Sequence, residues 1–435
     1  MEYLSSNSGE NALIVEKKNV TITNINVTKT GDSDGDSSDF YGTNAAIFCY
    51  NDGILTINGG KIATNGSHAN GVFAYNSGVI NISDAIINTS SNNSGAVMVT
   101  GGGTLSANNV TATTEGNSSA PIRSDRGGGT LTVNGGTYTS NGIGSPAVYS
   151  TANITINDAS LISNKSEGVV VEGANSVSLS NVKLTDTNTT LNGNSETYKN
   201  IFLYQSMSGD ASEGNASFSS KGSTITTNKG DTIFVTNTTA TIDLENNNII
   251  NNDETGAFLR VQSGKWGTSG KNGGDVTLNL KKQEVKGDIY IDSISSLDLK
   301  LTEGSSLTSC INKEKVAKTI NLSLDKTSSL VLTGDSYVTN LNNELSDNSN
   351  INLNGYTLYV GDSKITSTNY VKPEVENSEE TISNESNIAS EDEIVTIVNE
   401  EKEGLNVNLI IIISVAAFVI VLIIVIVLIL KKRKK

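Results

Sequence analysis

Apolar residues in this chain come in short alternating runs rather than helical stripes, and the runs recur at a near-constant interval. One series reads Ala46-Ile47-Phe48, Gly71-Val72-Phe73, Ala96-Val97-Met98, Pro121-Ile122-Arg123 and Ala147-Val148-Tyr149, with central residues 25, 25, 25 and 26 apart. Gly168-Val169-Val170, Asn200-Ile201-Phe202, Thr232-Ile233-Phe234 and Ala257-Phe258-Leu259 continue it at intervals of 21 to 32. A second series runs in step, beginning Leu55-Thr56-Ile57-Asn58-Gly59-Gly60 and Ile80-Asn81-Ile82-Ser83-Asp84-Ala85. It continues through Leu131, Ile154, Val177 and Ile242. Third short runs such as Lys61-Ile62-Ala63 and Thr137-Tyr138-Thr139 follow each turn. Strict alternation predicts strands, and a fixed period predicts a stacked repeat.

Alternation sends Leu55 and Ile57 to one face and Thr56 to the other. A single coil cannot bury such a stripe, but stacked coils share one continuous core. Each buried side chain then contributes roughly 1.5–3 kcal/mol. Asn and Gly at the corners suit the left-handed backbone of a tight bend, and Asn over Asn in successive coils can form an amide ladder. The expected fold is all-β: a right-handed parallel β-helix over residues 11–372, with about thirteen coils and roughly 60 Å of rod. Left-handed hexapeptide helices repeat every 18 residues or so, and β-sandwiches do not keep two strand series in phase at 25.

The chain resembles the pectin-lyase-like β-helix surface proteins, called adhesin-like, of anaerobic bacteria and related microbes. The resemblance covers residues 10–362, through runs such as Ser124-Asp125-Arg126-Gly127-Gly128-Gly129, Val133-Asn134-Gly135-Gly136-Thr137-Tyr138 and Tyr204-Gln205-Ser206-Met207-Ser208-Gly209-Asp210. It implies a fold and a surface location more than an activity.

Charge adds the next layer. Net charge is −16 and the solenoid itself is acidic, with no basic stripe, so a nucleic-acid partner is not expected. Residues 373–404 hold eleven carboxylates and one Lys, which predicts an extended acidic stalk. Within residues 405–430, Leu409–Leu430 has Ser414 as its one polar member. At 1.5 Å per residue it reaches about 33 Å, enough to cross a bilayer core. Residues 431–435 are all basic, which predicts a cytoplasmic tail and an outside ectodomain at the plasma membrane. No sortase-type pentapeptide precedes the span; Glu400-Glu401-Lys402-Glu403-Gly404 stands there. Residues 1–10 lack a basic and apolar export signal, so a longer native N-terminus is expected, with tail-anchored cytoplasmic residence as the alternative. Cys49 and Cys310 sit roughly nine coils apart in strand contexts and read as buried free thiols.

Candidate chemistry is sparse. Asp125 and Arg126 follow a first-series strand, Glu172 ends the strand two coils later, and Tyr204 and Gln205 come one coil beyond. In register, Asp125 and Glu172 stand about 9–10 Å apart on one ridge, with Arg123 beside them. The favoured reading is a salt-bridge ladder; the alternative is a ligand site, or a catalytic set of Asp125, Arg126 and Glu172 for a polysaccharide lyase or hydrolase. The single Trp, Trp266, either stacks on a sugar or folds back onto the rod. Asp32, Asp34, Asp36 and Asp39 space carboxylates like a calcium loop, but Gly35 and Thr43 depart from the EF-hand pattern, so an acidic insertion is the simpler reading. No cofactor is expected, with calcium the possible exception. His68, the one histidine, reads as a turn residue. The expected function is adhesin-like binding of glycans or surfaces, or a structural surface role.

Overall fold

The computed structural model describes residues 2–193 and 195–373. Every first-series run from Ile47 to Ile233 becomes a strand of one parallel sheet. That sheet has eleven strands among the described residues, from Leu13–Glu16 to Ile289–Ile291. Its register runs Ile47, Val72, Val97, Ile122, Val148, Val169, Ile201, Ile233. The second and third series together form an eighteen-stranded parallel sheet. The chain is therefore an all-β parallel solenoid. In the early coils these two series are one bent strand, as in Ile54–Thr64. In later coils the bend interrupts the pairing, as between Asn153–Asn157 and Ser160–Ser163.

The bend has a local cause. Successive coils place Asn24, Gly59, Asp84, Asn109, Gly135, Asp158, Asn181, Gly222 and Asn246 at one corner, all with positive φ. Those residue types tolerate the left-handed backbone. Lys282 (φ 48°) and Glu303 (φ 55°) continue the column without that tolerance. Lys282→Asn is therefore expected to stabilise the protein by about 1 kcal/mol, read as a shift in the denaturant midpoint. No change in midpoint would show that the strain at this corner is already relieved.

Alternation holds along the wall. Leu55, Ile57, Ile62, Val72 and Ala74 join one continuous core with their counterparts in later coils. Polar ladders close the corners. Backbone N–H groups of Ala69, Ser94 and Ser119 donate to the hydroxyls of Ser94, Ser119 and Ser145 one coil on, at 2.8–3.0 Å. A second buried ladder links Ser223, Asn247, Gln283 and Ser305 in the same way. Outside, the expected amide ladders are present: Asn157 donates to Asn134 and Asn134 to Asn108, both at 2.9 Å. Asn164 bonds Asn141 at 2.7 Å.

Three features depart from the sequence reading. A strand at Glu2–Ser5 pairs with Asn26–Lys29, ahead of position 11, where the alternation becomes legible. Leu259, not Phe258, aligns with Ile233, because Arg260 must face outward to reach Asp231 at 2.6 Å and stack 4.6 Å from the Tyr290 ring. The strand Ser363–Ile365 runs antiparallel to Leu358–Val360 and interrupts the parallel stacking. Cys49 and Cys310 are free and buried, with burial pushing the Cys49 thiol up to about 11. Among the described residues no helix is long and apolar enough to cross a membrane; Leu409–Leu430 and the acidic segment after Pro373 lie outside them.

Candidate functional site

The outer face of the eleven-stranded sheet carries two parallel columns of large side chains. One holds Phe48, Phe73, Met98, Arg123, Tyr149, Val170, Phe202 and Phe234. The neighbouring column holds Tyr50, Tyr75, Thr100, Asp125, Glu172, Tyr204 and Thr236. Alternation alone would expose them, yet most are buried or half-buried, in two clusters separate from the main core. Loops that leave the repeat cover them.

The acidic insertion covers the first cluster. A Cβ placed on Gly42 would fall 2.6 Å from the Phe48 ring, so the loop backbone lies directly on the aromatic face. The Tyr41 and Tyr75 rings meet edge to face at 5.8 Å, and Thr100 donates to the Phe40 carbonyl at 2.6 Å. The carboxylates fan out to separate partners. Asp32 accepts from the Ser67 amide at 2.8 Å, and Asp36 pairs with Arg126 at 2.9 Å. Asp39 meets His68 Nδ1 at 2.6 Å, while Asp34 is exposed. No group of three or more acidic, His or Cys side chains positioned for a metal occurs among the described residues. The insertion is a docked strap. His68 does occupy a turn, at φ 56°, but its ring is held between Asp39 and Asn93.

Between the two aromatic clusters lie the charged residues singled out from the sequence. Asp125 and Glu172 follow Ser124 and Val171, which stand two coils apart in one column, as expected. Each charge is already engaged. Arg123 Nη2 binds Asp125 Oδ2 at 2.9 Å, and the Arg126 amide donates to Asp125 Oδ1 at 3.1 Å. Burial raises the Asp125 carboxyl above its ordinary range, with Arg123 offsetting only part of that effect. Arg126 bridges Asp210 at 2.7 Å and Asp36 at 2.9 Å, and its guanidinium lies 4.0 Å from the Phe40 ring centre.

Glu172 is almost fully buried and accepts four hydrogen bonds. Tyr149 and Tyr204 hydroxyls reach Oε2 at 2.6 and 2.9 Å; the Ser206 amide at 3.3 Å and the Ser206 hydroxyl serve Oε1. Burial, ahead of the Glu172 charge, pushes both tyrosines well above the ordinary phenol value. The Ser208 amide donates to the Ser206 hydroxyl at 3.0 Å and the Ser208 hydroxyl donates to Asp210 at 2.8 Å, which leads back to Arg126. Gln205 is buried and braces this loop, binding the Ala211 carbonyl at 3.2 Å and the Met207 amide at 3.1 Å. Trp266 folds back onto the rod, with Phe202 and Tyr204 each 5.3 Å from its ring.

The residues chosen from sequence are thus brought together, except Asp32 and Asp34, which stand apart. Tyr149, Ser206, Asp210 and Phe40 complete the network. Tyr149 had a visible signal, the outward slot of a first-series strand. Asp210 and Phe40 had none, since both lie on loops whose docking no periodicity encodes. As an arrangement, the cluster clamps two loops to the sheet. Both oxygens of Asp125 and of Glu172 are engaged by donors of the protein itself. Comparisons of the chain with family models, with curated proteins and with solved structures find no match.

Proposed function

We propose that this protein is a non-catalytic, adhesin-like surface rod. The solenoid, taken as right-handed with about thirteen coils, stands on the acidic segment 373–404 as a stalk. Leu409–Leu430 spans the plasma membrane once, with residues 431–435 inside and the rod outside. Its partner is a glycan or another surface polymer.

The observation that carries this reading is the flank of exposed amide and hydroxyl ladders at coil spacing, of which Asn108–Asn134–Asn157 is the clearest. Groups repeated every ~4.8 Å along a rigid rod present hydrogen-bond donors and acceptors in a line. A polymer laid along that line makes many weak contacts at once. The full chain in detergent micelles is expected to bind members of a broad glycan and mucin panel more strongly than an unrelated β-solenoid does. Equal retention of both across the panel would sink the idea.

A lyase or hydrolase acting through Arg126, Asp125 and Glu172 is the second reading, favoured only by the shared column of Asp125 and Glu172 two coils apart, with Arg126 adjoining Asp125. Incubation with neutral and acidic polysaccharides in calcium is expected to yield no new reducing ends or unsaturated products. Turnover abolished by Glu172→Gln would instead establish the enzyme.

A further inference from the structure

We propose that the buried corner formed by Asp186, Asn188 and Asn200 binds a hard metal cation, with calcium the best-matched ion. Asp186 ends the strand Lys183–Asp186 and faces the interior, paired in register with Ser163 on one side and Thr227 on the other. Ser163 and Ser140 hold equivalent slots and use their hydroxyls as donors, to the Ser166 and Ser145 carbonyls at 2.9 and 2.5 Å. Asp186 is fully buried and neither of its oxygens has a hydrogen-bond partner of good geometry, the Asn188 backbone N–H being the donor directed at it.

The same corner holds two more orphaned acceptors. Asn188 Oδ1 and Asn200 Oδ1 are buried without partners. Neither amide can flip to escape, because its nitrogen is committed. Asn188 Nδ2 donates to the Lys199 carbonyl at 3.2 Å; Asn200 Nδ2 donates to Thr226 O and Thr227 Oγ1 at 3.1 and 3.0 Å. These bonds also place the groups together, since Thr227 is the register partner of Asp186 and Lys199 adjoins Asn200. Four oxygens from three side chains therefore share one corner, with the Asn188 backbone N–H as the donor directed at Asp186 and none of good geometry on the four.

Lys199 does not supply the missing charge. Its ammonium pairs with Glu167 at 3.2 Å and donates to Ser195 Oγ and Thr197 O at 2.7 and 3.0 Å. Two carboxylates thus face one ammonium. Carboxylate and amide oxygens, with no nitrogen or sulfur donor, form the set that suits calcium rather than zinc or copper. This corner lies in a different part of the chain from the Asp32–Asp39 strap.

The test uses the full chain stripped with a chelator. Thermal unfolding is then followed with calcium, magnesium, sodium or potassium added, and bound metal is measured after dialysis. Calcium is expected to raise the melting temperature and to remain with the protein as a single ion per chain. Asp186→Asn gives the corner a donor for the orphaned amide oxygens, so the variant is expected to fold. It should be at least as stable as stripped wild type and indifferent to calcium. Asp34→Asn, on the strap, is expected to keep the full calcium response. The proposal is overturned if no cation shifts the wild-type transition or stays bound. It is equally overturned if Asp186→Asn still responds, or if Asp34→Asn abolishes the response.

Discussion

Arg123→Met is expected to destabilise the protein by about 3–5 kcal/mol, the cost of leaving one member of a buried ion pair without its partner. Asp125 is buried at the sheet surface, and among the described residues Arg123 is its one ion-pair partner, at 2.9 Å. Without the guanidinium, the carboxyl must protonate or stay charged in a site that repels charge. The preceding coil shows what an apolar solution looks like, since Met98 and Thr100 occupy the corresponding places. The double variant Arg123→Met, Asp125→Thr is therefore expected to recover to within about 1 kcal/mol of wild type. Urea unfolding of the three proteins checks this, and a double variant no better than the single one refutes it. pH gives a second readout. The Asp125 carboxyl is raised in the folded state, so its contribution is fully present below the unfolded value. It declines as pH rises through the folded one. In the double variant that slope should vanish. Loss of glycan retention in a double variant that remains stable would also show that the pair serves a ligand as well as the fold.

Tyr138→Phe is expected to stabilise the protein by about 1–3 kcal/mol, an unusual direction for a core substitution. Tyr138 is fully buried, its hydroxyl has no hydrogen-bond partner, and burial raises it well above the ordinary phenol value. The ring itself is well used. Ala112 lies before it in the interior column and Leu161 after it, so a small residue makes room for a large one in the next coil. Removing the oxygen ends the desolvation cost, whereas Tyr138→Ala removes the ring as well and is expected to cost about 3–5 kcal/mol. Calorimetry separates the two. A Phe variant less stable than wild type would mean that the hydroxyl has a partner after all, such as a buried water.

How much of this was legible beforehand follows from what is local. Strand existence, parallel stacking and the corner column depend on neighbours within one 25-residue unit. Leu55, Ile57, Asn58 and Gly59 announce them through alternation and backbone tolerance alone. Repetition then multiplies that weak signal. The shared column of Asp125 and Glu172 was also readable, because register carries a position from coil to coil without any knowledge of side-chain packing.

The tertiary structure decided what lies over the repeat. Phe40 on the Arg126 guanidinium, Asp210 closing the network and Asp39 on His68 join residues 29 to 86 positions apart through loops with no period. The Phe258–Leu259 doublet fits either register by apolarity, and the outward demand of Arg260 toward Asp231 settles it. The orphaned oxygens of Asp186, Asn188 and Asn200 were equally invisible. A polar residue at a strand end reads as exposed until the next coil covers it, and only the stacked chain shows that these oxygens lack well-placed partners. The sequence alone thus determined the solenoid, because every coil repeats the same local physics. Which polar groups are paired, buried or left wanting depends on contacts that occur once, and these only the folded chain could decide.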